Sequence, residues 1–304
     1  MKLRIGTRGS HLALTQTQWV ARQLIEKGVD VTIHEIKTTG DKILDVPLAK
    51  VGGKGLFIKE IEDALLQGQI DIAVHSMKDM PTEIPFGAVI GAIPKREDPR
   101  DVLIARCGTS FSNLPFGSKV GTSSLRRQAQ LKRVRPDLVF LPLRGNLNTR
   151  IRKLSEGEVD AVILAAAGLH RIGWQERITE YLPFDICLPA IGQGVLAIEC
   201  RENDSVVLGQ IAFLNDSETA CEIATERAFL TRLEGGCQTP IAGFAKKING
   251  MIQLEGLVAN LSGTEIIREK KSAPIGQEKA LGTTLAELLL GKGADTILKE
   301  LLDS

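Results

Sequence analysis

Aromatic side chains make up only 4% of this 304-residue sequence, with one Tyr and two Trp among them. That scarcity argues against a groove that grips nucleic acid by stacking bases on rings. Net charge is equally small: 38 Lys and Arg stand against 37 Asp and Glu. A chain so nearly neutral is not a general nucleic-acid binder. Long apolar runs are missing. The longest, from Ala161 to Leu169, has nine residues, and a membrane-spanning helix needs ~20. No apolar run follows Met1-Lys2-Leu3-Arg4-Ile5, so no secretory signal is expected and the protein is read as cytoplasmic. The five cysteines (Cys107, Cys187, Cys200, Cys221 and Cys237) form no C-x-x-C. Free thiols in a reducing compartment fit that odd, scattered set better than disulfides. Four histidines, none at ligand spacing, give no reason to expect a metal. G-x-S-x-G, G-x-G-x-x-G and H-E-x-x-H are all absent, and Gly52-Gly53-Lys54-Gly55 lacks the spacing of a phosphate loop.

What is present is a concentration of positive charge. From Gly121 to Arg152 the chain carries eight basic side chains (Arg126, Arg127, Lys132, Arg133, Arg135, Arg144, Arg150 and Arg152) and one acid, Asp137. Arg126 and Arg127 follow Gly-Thr-Ser-Ser, Arg144 precedes Gly145-Asn146, and Arg150 follows Asn148-Thr149. Guanidinium forks match carboxylates and phosphates. Placed at loop–helix junctions, beside hydroxyls and free backbone N–H groups, they make an anion site. The ligand expected is a small polyanion.

Hydrophobic content of 43% supports real cores, and the length suggests two or three domains at ~150 residues each. Strand and helix patterns alternate from the start. Leu3–Ile5 reads as a strand. Ser10 caps a helix ended by Gly28, with Ala13, Val20 and Leu24 on one face. Val29–Ile33 is a strand, Thr38–Gly55 a long loop, Leu56–Leu66 a helix, and Ile70–Val74 and Ala88–Ile93 are strands. Pro94–Asp101 is a charged, Pro-rich connection suited to a domain crossing. A second α/β run follows: strands near 119–121, 138–141 and 159–164, with helices at 124–133 and 148–156. Pro189–Gly194 looks like a second crossing, and Val195–Glu199 like one more strand. Ser217–Leu233 is a long helix. Strands at 241–247, 252–259 and 265–270 come next, the first two turning at Asn249-Gly250, and helices near 281–290 and 294–302 close the chain. No internal repeat is visible. These patterns divide the chain into a discontinuous α/β domain at 1–95 and 193–213, an α/β domain at 96–192 carrying the basic loops, and an α+β domain at 214–304. The loops at Arg8, Lys78-Asp79, Gly121–Arg127 and Arg144 follow strands, where open α/β sheets bind ligands. Two such domains would face those loops across one cleft, with Lys42–Gly55 as a lid.

Two residues stand out for chemistry. Asp79, beside Lys78, is a carboxylate among cations. Such an Asp is most often a turn cap; ionised, it could instead hold an N–H donor and stabilise a developing cation. Cys237 lies in Glu234-Gly-Gly-Cys-Gln238, in a loop rather than on an apolar face. Free Cys is usually a small buried hydrophobe, but a thiol between glycines and a strand could be a covalent attachment point. The other four cysteines are read as structural. Arg8, Lys50, Lys54, Arg126, Arg127, Arg144, Arg150 and Arg171 are the candidate cations for the ligand. Lys132, Arg133, Arg135, Arg152 and Lys153 are read as helix faces or ends in water.

These residues resemble those of the porphobilinogen deaminases, or hydroxymethylbilane synthases, over essentially the full length. The matching segments are Thr7–Ser10, Leu48–Phe57, His75–Asp79, Arg96–Asp101, Gly121–Arg127, Leu143–Asn146, Leu188–Gly194 and Glu234–Gln238. In order and at this spacing they are specific; one alone would not be. The resemblance implies two periplasmic-binding-protein-like α/β domains joined by two crossings, plus a small α+β domain with a three-stranded antiparallel sheet. It implies a monomeric transferase that condenses four porphobilinogen units into hydroxymethylbilane with release of ammonia. Its dipyrromethane cofactor is joined by a thioether to the residue matching Cys237. By position, Asp79 contacts pyrrole N–H groups and stabilises the azafulvene cation. Lys54, Lys78, Asp79, Ser124, Arg126, Arg127 and Arg144 hold the cofactor, and Arg8, Ser10, Arg144, Arg150, Arg171 and Gln193 hold substrate. No metal, nucleic acid or membrane is implied. The competing reading, a non-catalytic clamp for a small anion, explains the arginines but leaves Cys237 and the third domain without a role.

Overall fold

The computed structural model describes residues 2–39, 58–234 and 239–302. Lys50, Lys54, Cys237 and the expected lid, Lys42–Gly55, lie outside them. Contacts divide the chain into two compact units, Met1–Glu97 with Val195–Ala220 and Asp98–Gly194 with Cys221–Ser304.

The first unit holds β1 (Lys2–Thr7), α1 (His11–Glu26), β2 (Asp30–Glu35), α2 (Lys59–Leu66), β3 (Ile72–Ser76) and β4 (Ala88–Ala92). The second begins with β5 (Asp101–Ala105), β6 (Lys119–Gly121), α3 (Leu125–Val134), β7 (Val139–Leu141), α4 (Leu147–Ser155), β8 (Ala161–Ala165), α5 (Ala166–Arg171) and β9 (Glu180–Tyr181). The chain then returns to the first unit with β10 (Leu196–Arg201) and α6 (Ser205–Ile211). Helix α7 (Ser217–Arg232) leads into β11 (Ile241–Ile248), β12 (Met251–Ala259), β13 (Ile266–Pro274), α8 (Glu278–Leu289) and α9 (Asp295–Leu302).

The two α/β sheets share one topology. The first has strand order β2-β1-β3-β10-β4 and the second β7-β6-β8-β5-β9. In each, three parallel strands are followed by one antiparallel strand, β10 or β5, and an edge strand antiparallel to that. The antiparallel strand is the one that follows a crossing. The same five-stranded arrangement is thus built twice. The third sheet, β11-β12-β13, is an antiparallel meander.

The cores follow the side-chain periods. Ile72 and Val74 of β3 pack with Val20, Ala21 and Leu24 of α1. Ala73, one residue out of phase, packs on the opposite face with Ile61 and Leu65 of α2. Both faces of the parallel strands are therefore covered, as such sheets require. In the C-terminal part, Phe229 of α7 is fully buried against Leu254 and Leu285. A Cβ on Gly256 would lie 2.5 Å from Phe229 Cζ, so this glycine makes room for the ring.

Several elements depart from the sequence reading. β5 falls where the first crossing was expected to end, because the apolar run Val102–Ala105 is short and its leading Asp101 disguises it. The apolar run from Ala161 is a strand and a helix in direct succession, β8 and α5, with no loop between them to mark the change. Helix α6 is capped by Asp204, whose Oδ1 accepts from Val207 N at 3.1 Å. Cys107, expected to be structural, is exposed in the turn after β5. Arg135, expected in water, donates to the carbonyls of Phe111, Ser112 and Leu114.

Phe229→Ala removes the largest apolar side chain beneath the third sheet. Such truncations cost about 3–5 kcal/mol. Denaturant unfolding should show a loss of that size, while Phe213→Ala, at a half-exposed ring, should cost far less.

Candidate active site

In the first unit the site lies beyond the carboxyl ends of β1 and β3. Arg8 follows β1 directly. Ser10 is extended (φ −70°, ψ 145°) and caps α1, its Oγ accepting from Ala13 N at 3.3 Å. β3 ends at Ser76, whose Oγ accepts from Gln16 Nε2 at 3.2 Å. A single 3₁₀ turn, Met77–Asp79, follows. Met77 N donates to Val195 O at 2.9 Å, and Met77 and Met80 are both buried. That anchoring turns Lys78 and Asp79 outward: Lys78 is half-buried and Asp79 exposed. Arg8, Ser10, Gln16, His75, Ser76 and Asp79 line one open cavity. Sequence reasoning named Arg8, Ser10 and Asp79 but not Gln16 or His75, whose signal was only their position near strand ends.

In the second unit, Ser124 caps α3, its Oγ accepting from Arg127 N at 3.4 Å. Arg126 and Arg127 thus fall in the first turn of α3. Both are buried, 4% and 6% exposed. They converge on Asp101, which is wholly buried. Arg127 donates from Nε and Nη2 to Asp101 Oδ1 at 2.9 and 2.7 Å, and from Nη1 to Ile163 O at 2.9 Å. Arg126 Nη1 donates to Asp101 Oδ2 at 2.7 Å and to Leu188 O at 2.6 Å. The Cys187 thiol donates to Asp101 Oδ2 at 3.3 Å, and Gln193 Nε2 donates to Asp101 Oδ1 at 3.0 Å and to Pro99 O at 2.7 Å. The two guanidiniums hold the Asp101 carboxyl far below the usual carboxylate range against the opposing effect of burial. Burial and the neighbouring Asp101 charge push the Cys187 thiol up to about 12. This differs from a pair of forks open to ligand: the Arg127 fork is engaged inside the protein, and Gln193 points its amide inward. Asp101 is the residue that sequence reasoning missed. It stood last in a charged segment that reads as a connection.

The remaining cations lie nearer the surface. Arg144 precedes Gly145, whose φ of +102° suits glycine. Asn146 then caps α4, its Oδ1 accepting from Thr149 N at 3.0 Å. Arg150, half-buried, donates from Nε to Gly145 O at 2.9 Å. Arg171, at the end of α5, donates from Nη2 to Gly194 O at 2.7 Å. Among the described residues no cluster of His, Cys, Asp and Glu could hold a metal ion, and no helix is long and apolar enough to cross a membrane.

Two α/β sheets of one topology, each with cations at its strand ends, define an α/β protein built on a repeated sheet. Residues 3–209 match the family model for the porphobilinogen deaminase dipyrromethane cofactor-binding domain, and residues 220–291 match the porphobilinogen deaminase C-terminal domain. The chain belongs to the porphobilinogen deaminase family. It is 55% identical over 301 residues to the porphobilinogen deaminase of Syntrophotalea carbinolica, covering 98% of this chain and 96% of that one. Identity to the Geobacter sulfurreducens enzyme is also 55%, over 98% and 94% of the two chains. Among solved structures, an arginine-specific periplasmic binding protein of Salmonella typhimurium aligns with 72% of this chain and 93% of its own, at 16% identity and a TM-score of 0.41.

Asp101→Asn leaves two buried guanidiniums facing a neutral amide. Removing one partner of a buried ion pair costs about 3–5 kcal/mol, which denaturant unfolding should show at pH 7. The pH dependence has a definite sign. A carboxyl depressed in the folded state stabilises fully above its unfolded value of ~4, and that stability drains away as pH falls through the folded value. The wild type should therefore lose stability on the acid side of pH 4 more steeply than Asp101→Asn.

Proposed function

We propose that the chain joins four porphobilinogen molecules head to tail into hydroxymethylbilane, releasing one ammonia per unit, on a dipyrromethane primer held as a thioether by Cys237. The observation that carries this reading is family membership across both matched regions, taken with Asp79 as the carboxylate lining a cavity that Arg8 and Ser10 share. The residues suit the group. Dipyrromethane offers pyrrole N–H groups and carboxylates, and the cavity offers a carboxylate, a guanidinium and a hydroxyl. Bound there, it supplies a free pyrrole carbon as nucleophile. A non-catalytic clamp would need neither the cofactor-binding domain nor Cys237.

The roles follow from charge. Porphobilinogen and its oligomers are polyanions, so Arg8, Arg144, Arg150 and Arg171 are assigned to acetate and propionate groups, with Ser10 adding a hydroxyl. Gln193 is assigned to the same binding set, its side chain steadying Asp101. Lys54, Lys78, Ser124 and Arg144 are assigned to the primer's carboxylates. Arg126 and Arg127 act on the primer from beneath, through the positive potential of their buried network. Asp79 accepts pyrrole N–H groups and faces the cation left when ammonia departs. A preorganised carboxylate stabilises such charge most where water is excluded. Three domains, 1–95 with 193–213, 96–192 and 214–304, suit the three sheets, each with its own apolar cluster. We take the protein to work as a cytoplasmic monomer on a small-molecule substrate, without nucleic acid or membrane.

Intact mass spectrometry should find the purified protein heavier than its sequence by one dipyrromethane, and Cys237→Ser without the addition. An unmodified yet fully active wild type would sink the idea. Asp79→Asn should fold and carry primer but lose roughly 10²–10³-fold in kcat, the effect of removing one preorganised group. Near-normal turnover would refute the role given to Asp79.

A further inference from the structure

Behind the cavity wall of the first unit lies a second titratable cluster. His75, near the end of β3, is 4% exposed at its side chain, and its Nε2 lies 3.1 Å from Glu199 Oε2 on β10. Glu199 is wholly buried. Its other oxygen, Oε1, is buried with no hydrogen-bond partner among the described residues, and the same holds for Oε1 of Glu62 on α2. α2 packs on both β3 and β10. Buried carboxylate oxygens are normally satisfied, so each exception calls for a reason. His75 itself lines the cavity with Arg8 and Asp79, so its contact with Glu199 backs the cavity wall.

The tautomer follows from the contact. A carboxylate at Nε2 selects the neutral ring with its hydrogen there. Nδ1 then carries the lone pair, and it makes no other hydrogen bond among the described residues. Glu199 from β10 meets the ring, Arg8 and Asp79 share the cavity it lines, and Glu62 of α2 lies within electrostatic range of His75 and Glu199. Helix α1 contributes the neutral Leu12, Ala13 and Gln16.

We propose that His75, backed by Glu199, is the base through which the cavity takes up and returns the proton set free at each condensation. This rests on the function proposed above. The incoming unit enters as an ammonium. Its C–N bond breaks and the electron pair leaves on neutral ammonia. The new C–C bond uses an electron pair of the accepting pyrrole, and that ring carbon must then lose its hydrogen as a proton. The C–H electron pair restores the ring, and the proton passes to His75 Nδ1. The imidazolium is held by Glu199. The proton then moves to the departing ammonia, which leaves as ammonium, and the ring is neutral again. Burial and the neighbouring Glu199 charge raise the Glu62 carboxyl on α2 to about 7.

The test uses purified enzyme that carries its primer by mass. Nitrogen-15 NMR should find the His75 ring protonated at Nε2, and carbon-13 NMR should find Glu62 titrating near pH 7. In Glu199→Gln that midpoint should fall. His75→Gln should keep primer and KM and lose roughly 10²–10⁴-fold in kcat, the usual worth of a positioned base, with partial rescue by added imidazole. If His75→Gln does not fold, Glu199→Gln decides: it keeps the ring at the cavity wall, removes the carboxylate that holds the imidazolium, and should lower kcat with KM unchanged. The proposal is overturned if folded His75→Gln turns over within twofold of wild type, or if Glu199→Gln leaves kcat unchanged. A chain that never acquires primer would instead overturn the function on which this inference rests.

Discussion

One buried carboxylate sets the electrostatics of the second unit. Asp101 neutralises only one of the two guanidiniums that meet it, so the cluster keeps a net positive charge beneath the first turn of α3. Burying such a cluster is costly unless its donors are satisfied. The carbonyls of Ile163 and Leu188 provide that satisfaction without adding negative charge. Cys187 matters for the same reason. A thiolate there would cancel the remaining charge; held neutral, the thiol donates to Asp101. The positive potential above this cluster therefore belongs to the folded core rather than to flexible surface side chains.

The strand ends of the first unit show the opposite balance. Glu199 and Glu62 lie behind the cavity and Asp79 stands at its rim, with Arg8 as the cation among its lining residues. Excess positive charge suits the carboxylates of a growing oligomer, and excess negative charge suits a transient cation. One fold built twice thus offers two local environments of opposite sign.

How much of this was legible in the sequence depended on the range of the interaction. Elements defined by local signals were placed within a few residues: Ser10 before α1, Asn249-Gly250 between β11 and β12, and the alternation of β12. Arg8, Asp79 and the basic segment were legible because they sit beside turn residues. Asp101 was not, since its partners lie 25, 26, 86 and 92 positions away along the chain. The His75–Glu199 contact spans 124 positions, and nothing local to either residue announces it. The repeated sheet topology came only through the family resemblance, for a related reason. Strand order is a property of pairing, and β5 and β10 take their places by leaving one unit for the other.

That exchange also fixes where the crossings arrive. In an open α/β sheet the ligand end is where the parallel strands finish. A strand antiparallel to them must begin at that same end. Asp101, the first residue of β5, pairs with Ala165 at the end of β8, and Leu196, the first of β10, pairs with Ser76 at the end of β3. Each crossing therefore delivers the chain to the ligand end of the sheet it enters. The residues just before and after it, Pro99, Gln193 and Asp101 among them, therefore lie near that end. A segment that reads in sequence as a charged linker is, by the geometry of one antiparallel strand, delivered to the end of the sheet where the parallel strands finish.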